Sequence, residues 1–146
     1  MIRRDTLMSV AAAFFAISAP FAVLAEEATG TPSPTGAKVF IIEPKDGATV
    51  SNPVVIKFGI EGMDVAPAGT EKANSGHHHL VIDGTIADMK AAIPADDTHK
   101  HFGKGQTETT IELKPGEHTL QLVLGDHNHV PHNPPVVSPV LKITVK

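Results

Sequence analysis

Val54-Val55-Ile56-Lys57-Phe58-Gly59-Ile60-Glu61 is the stretch whose reading decides the fold class. Val54, Ile56, Phe58 and Ile60 alternate with Val55, Lys57, Gly59 and Glu61, a period of two. An extended strand sends successive side chains to opposite faces, so this pattern predicts a strand buried on one face. The period recurs outward along the chain. Thr109, Ile111 and Leu113 alternate with Thr110 and Glu112, and Leu120, Leu122 and Leu124 with Gln121, Val123 and Gly125. Leu141, Ile143 and Val145 alternate with Lys142, Thr144 and Lys146. Further strands are predicted at 39–43 and 77–83, with a short one near 99–102. Turn residues separate them at Pro44–Gly47, Asp83-Gly84 and Pro115-Gly116. One or two helical turns fit residues 85–93. Short strands at this spacing predict an all-β domain, an antiparallel Greek-key β-sandwich of immunoglobulin-like architecture.

The amino terminus carries a different signal. Arg3 and Arg4 precede an apolar run from Leu7 to Leu24, and Val23-Leu24-Ala25 offers small residues where a signal peptidase reads. Residues 1–25 are therefore expected to be a cleaved signal peptide, and the mature protein to be periplasmic or secreted. Residues 26–37 (EEATGTPSPTGA) read as a flexible leader, and residues 38–146 as one histidine-rich β domain. No membrane span is expected after cleavage.

Composition narrows the functions. The formal charge is −4, which gives a polyanion no reason to bind, so no nucleic-acid partner is expected. Cysteine is absent, which excludes disulfides, thiolate metal sites and a cysteine nucleophile. Tryptophan and tyrosine are also absent, and Phe14, Phe15 and Phe21 leave with the signal. Few rings remain on which sugars or bases could stack.

Histidine is the unusual feature. All nine lie beyond residue 76 and most are bunched: His77, His78 and His79; His99 and His101; His127, His129 and His132, with His118 alone. Imidazole is a common ligand of transition metals at neutral pH. On a strand, His77 and His79 share a face with Val81, whereas His78 shares the core face with Leu80 and Ile82. His118 aligns with Leu120, Leu122 and Leu124. His78 and His118 are thus expected to be hydrogen-bonded residues at the core edge rather than ligands. If strands 77–83 and 117–124 are antiparallel neighbours, His77 and His79 meet the loop 125–135. His77, His79, His101, His129 and His132 then become the candidate metal ligands, with Asp126 and His127 as further candidates. A nitrogen-rich set without thiolate suits a copper or zinc ion. Met63 and Met89 read as packing residues.

Several phrases resemble a known family: IEPKDGATV (42–50), GHHHLVID (76–83), HFGKGQTET (101–109), PGEHTLQLVLGDHNHVPH (115–132) and PVVSP (135–139). They are similar to those of short secreted bacterial proteins classed as a domain of unknown function. The resemblance covers 39–145 and implies a recurring histidine pattern, without an activity. The function expected is a periplasmic metal-binding protein: a copper or zinc carrier, buffer or resistance factor. Its partners would be a metal ion and another periplasmic protein. The alternatives are a cell-envelope interaction module with structural or pH-responsive histidines, and a metal-dependent enzyme. No G-x-S-x-G motif is present, and no carboxylate stands out as a general base.

Overall fold

The computed structural model describes residues 29–146; the expected signal peptide, 1–25, lies outside the described residues. Nine strands form in chain order: β1 (Lys38–Glu43), β2 (Thr49–Val50), β3 (Val54–Glu61), β4 (Asp64–Val65), β5 (Ser75–Ile82), β6 (His99–His101), β7 (Glu108–Ile111), β8 (Gly116–Gly125) and β9 (Leu141–Val145). No helix occurs among the described residues, so the helical turns expected at 85–93 are absent. That segment instead spreads over the sheet, and the buried Ile93, with Ile86 against it, packs on Val81 and Val123.

Two sheets share one core. The order β1-β3-β7 makes an antiparallel three-stranded sheet; the larger sheet runs β2-β9-β8-β5-β4, with β6 also paired to β5. The larger sheet is mixed rather than purely antiparallel, because β2 pairs β9 and β4 pairs β5 in parallel. Both additions are two-residue strands, too short to leave a periodic trace in sequence. Val39, Ile41, Val54, Ile56 and Phe58 from one sheet pack with Leu80, Ile82, Leu120, Leu122, Leu124, Ile143 and Val145 from the other. Each such aliphatic side chain stabilises the fold by roughly 1.5–3 kcal/mol on full burial.

Strand β5 departs from the one-face pattern: all eight of its residues are buried. Leu80 and Ile82 enter the shared core, while Val81 joins a second apolar cluster on the opposite face. Strand β8 flanks β5 in antiparallel register, His77 opposite Gly125 and His79 opposite Val123. Strand β6 also pairs β5 antiparallel, so His79 has His101 as a further lateral partner.

The expected flexible leader is not free where it is described. Thr31 donates its N–H to the Asp126 carboxylate, and residues 31 and 33 exchange backbone bonds with Asn133. Polar composition alone hid this docking, because its bonds are made by main-chain groups that every residue carries.

Candidate metal centre

The centre is assembled by three segments. Strand β5 carries His77 and His79 on one face, two residues apart. Strand β6 brings His101 alongside His79 by register. The third segment is the turn after β8, where the chain must reverse to lay His129 over β5. Asp126 organises it: Oδ1 accepts from the N–H groups of Asn128 (2.9 Å) and Val130 (3.0 Å). The backbone closes the same turn through Asp126 N–H to Val130 O and His129 N–H to Asp126 O. His129 itself sits at φ 66, a left-handed conformation uncommon outside glycine, and Ile93 N–H holds its carbonyl at 2.8 Å.

One ring nitrogen from each of His77, His79, His101 and His129 lies within 4.8 Å of every other. His77 Nε2 is 2.9 Å from His79 Nε2 and 3.1 Å from His129 Nδ1. Ring centroids of the six pairs are 4.7–5.9 Å apart. A tetrahedral ion with metal–nitrogen bonds of about 2.0–2.1 Å sets its ligand nitrogens roughly 3.3 Å apart. His77 Nε2 already stands near that spacing from His79 and His129. Among the described residues, no carboxylate joins the group.

Glycine makes the approach possible. A Cβ on Gly125 would stand 2.7 Å from His79 Nε2, and one on Gly103 would stand 2.3 Å from His101 Cε1. Access is graded as well: His77 and His79 are 0% and 1% exposed, His129 is half-buried, and His101 is exposed.

Burial sets the charge. It pushes His77 down to about 4, with the positive fields of His101 and His129 acting in the same direction. It pushes His79 to about 3, helped by the other three rings. His101 is lowered by burial and then by His129. At neutral pH His77 and His79 are therefore uncharged, the form that offers a lone pair to a metal. Their Nδ1 atoms are buried without a protein partner, whereas their Nε2 atoms face each other across 2.9 Å.

The fifth expected ligand, His132, is not among the four. It is buried with its ring nitrogens turned to backbone carbonyls, Nδ1 to Leu124 at 3.3 Å and Nε2 to Ser75 at 3.1 Å. Gly76 gives it room, since a Cβ there would approach His132 Cε1 to 2.7 Å. His127 also stays outside, its Nε2 at 2.9 Å from the Asn128 amide. His99 faces Asp96 and the Thr85 carbonyl.

His118 is hydrogen-bonded as expected, to Asp83 (2.6 Å) and the Lys114 carbonyl (2.7 Å). His78 is not. It packs on Phe58 with ring centroids 5.1 Å apart, and neither ring nitrogen has a partner. Burial lowers it to about 4, so it is held as a neutral aromatic filler of the core. Met63 is a core residue, as expected.

A family model described as Domain of unknown function (DUF4399) matches residues 56–146, which include all four clustered histidines. No curated protein and no solved structure matches the chain.

Proposed function

From the premise that the chain belongs to the family described as Domain of unknown function (DUF4399), we propose that it is a metal-binding protein holding one copper or zinc ion on His77, His79, His101 and His129. One observation carries this reading: four imidazoles from three separate segments converge with ligand nitrogens mutually within 4.8 Å. The two most buried rings have pKa values pushed to about 4 and about 3, so a cation need not displace protons from them at pH 7. An all-nitrogen donor set favours Cu(II) or Zn(II) over Mg(II) or Ca(II). Four protein ligands fill a tetrahedral zinc sphere, whereas catalytic zinc keeps one position for water. That favours a carrier or buffer over an enzyme.

The basic and apolar order of residues 3–25 supports export, and with it a periplasmic role in which another periplasmic protein exchanges the metal. Two sheets around one core support a Greek-key, immunoglobulin-like β-sandwich as the finer architecture.

Isothermal titration of tag-free protein with Cu(II) and Zn(II) at neutral pH tests the proposal. One stoichiometric site is expected, and replacing His79 and His129 together by alanine removes it while the fold persists. No site tighter than roughly 10 μM, about −7 kcal/mol, would refute it.

A further inference from the structure

Asp126 was a sequence candidate for the metal, yet its carboxylate is fully used elsewhere. It is 3% exposed, and its two oxygens accept three backbone N–H groups: Asn128 and Val130 on Oδ1, Thr31 on Oδ2 at 3.0 Å. The first two donors flank His129 in sequence; the third comes from 95 residues away. Thr31 is no isolated contact. Asn133 N–H donates to Thr31 O (3.0 Å), Ser33 N–H to Asn133 O (3.1 Å), and Ser33 Oγ to Pro134 O (2.6 Å). Gly30 lies so close to the same loop that a Cβ there would fall 1.7 Å from Pro131 O. Residues 30–33 thus form a strap bonded along the loop that carries His129.

Resting on the metal-binding reading above, we infer that Asp126 is the positioning residue of the centre, and that residues 30–33 act through it to lock His129 over β5. The physical need is specific. The left-handed His129 backbone is held only by its surroundings, and a ligand on a loop reaches its position by being pinned on both sides. Ile93 pins the His129 carbonyl, and the Asp126 turn pins its N–H. The strap occupies the remaining oxygen of Asp126, so the carboxylate cannot swing away from the turn.

Charge adds to this. Imidazole ligands bring no negative charge to a divalent ion, and Asp126 is the acidic group whose field favours positive charge at His77. The same field favours a cation among the rings. The strap also lies before residue 56, where the family match begins. Part of what shapes this centre therefore comes from outside the matched region.

Two full-length variants test the inference: Asp126→Asn, which removes the charge and puts an amide donor opposite Thr31 N–H, and Gly30→Ala, whose Cβ forces the strap off Pro131. In metal-free protein, nuclear Overhauser contacts between the His77 and His129 rings are expected to disappear in both. Cu(II) and Zn(II) affinity is expected to fall by about ten- to a hundredfold, and the Cu(II) paramagnetic resonance spectrum to lose one nitrogen coupling. If either folded variant keeps both the ring contact and wild-type affinity, the inference is overturned. A lowered melting temperature with unchanged ring contact and couplings overturns it as well, since that marks a purely structural role. Should Asp126→Asn fail to fold, Gly30→Ala decides alone. Wild-type protein that binds no metal while both variants lose the ring contact would refute the metal reading and leave the positioning role standing.

Discussion

Acidification should destabilise the metal-free protein before the pH reaches the range in which carboxylates titrate. His77, His78 and His79 are 0–1% exposed and held at about 4, about 4 and about 3. In the unfolded chain each returns to about 6.5. The unfolded state therefore binds more protons between those values, and stability is complete above about 6.5 and lost as pH falls towards 4. For a ring shifted from 6.5 to 4, the difference between pH 7 and pH 5 is about 2 kcal/mol. The three rings together therefore cost roughly 5–6 kcal/mol over the same interval. A domain of this size has a total stability of about 5–15 kcal/mol. Thermal denaturation followed by circular dichroism, in chelator, should then show a midpoint lower by roughly 10 °C or more at pH 5 than at pH 7. Saturating Zn(II) should shift the loss to lower pH, because the ion competes with protons for the same nitrogens. A metal-free midpoint that holds steady from pH 7 to pH 5 would show that the rings are not buried as described.

Gly125→Ala should weaken the centre without touching a ligand. Its Cβ would meet His79 Nε2 at 2.7 Å, where ordinary contact begins at 3.4 Å, so the ring must retreat by about 0.7 Å in a close-packed interior. Titration calorimetry should show affinity for Zn(II) down by about ten- to a hundredfold, with a stability loss of roughly 1–3 kcal/mol; unchanged affinity would mean that His79 does not bind through that face. His118→Ala should act with the opposite pH sign. Its pKa is raised by the Lys114 carbonyl and by Asp83, so its contribution, about 1 kcal/mol, is full below 6.5 and fades as pH rises through the raised value. Urea denaturation at pH 5.5 and 8.5 should show the larger deficit in acid, with metal affinity unaltered.

The period-two pattern of Val54–Glu61 and Leu120–Leu124 determined an all-β fold, because side-chain alternation is a local property of extended backbone. The same logic separated His77 and His79 from His78, since neighbours on a strand must face opposite ways. Absence of cysteine removed thiolate from the donor set before any geometry was known. Other features were decided only by the folded chain. Pairing of β6 with β5 brought His101 to His79, and strand order is not encoded in any one strand. His132 turned its ring nitrogens to the Leu124 and Ser75 carbonyls, while His129, from the same loop, joined the cluster. Nothing in PHNPP or DHNHV distinguishes them, because the choice depends on a left-handed backbone angle at His129 and on which carbonyls the fold brings to the His132 ring. The leader was polar by composition, yet Thr31 docked on Asp126 through a main-chain N–H. Main-chain bonds are the same for every residue type, so only the tertiary structure could say where they go.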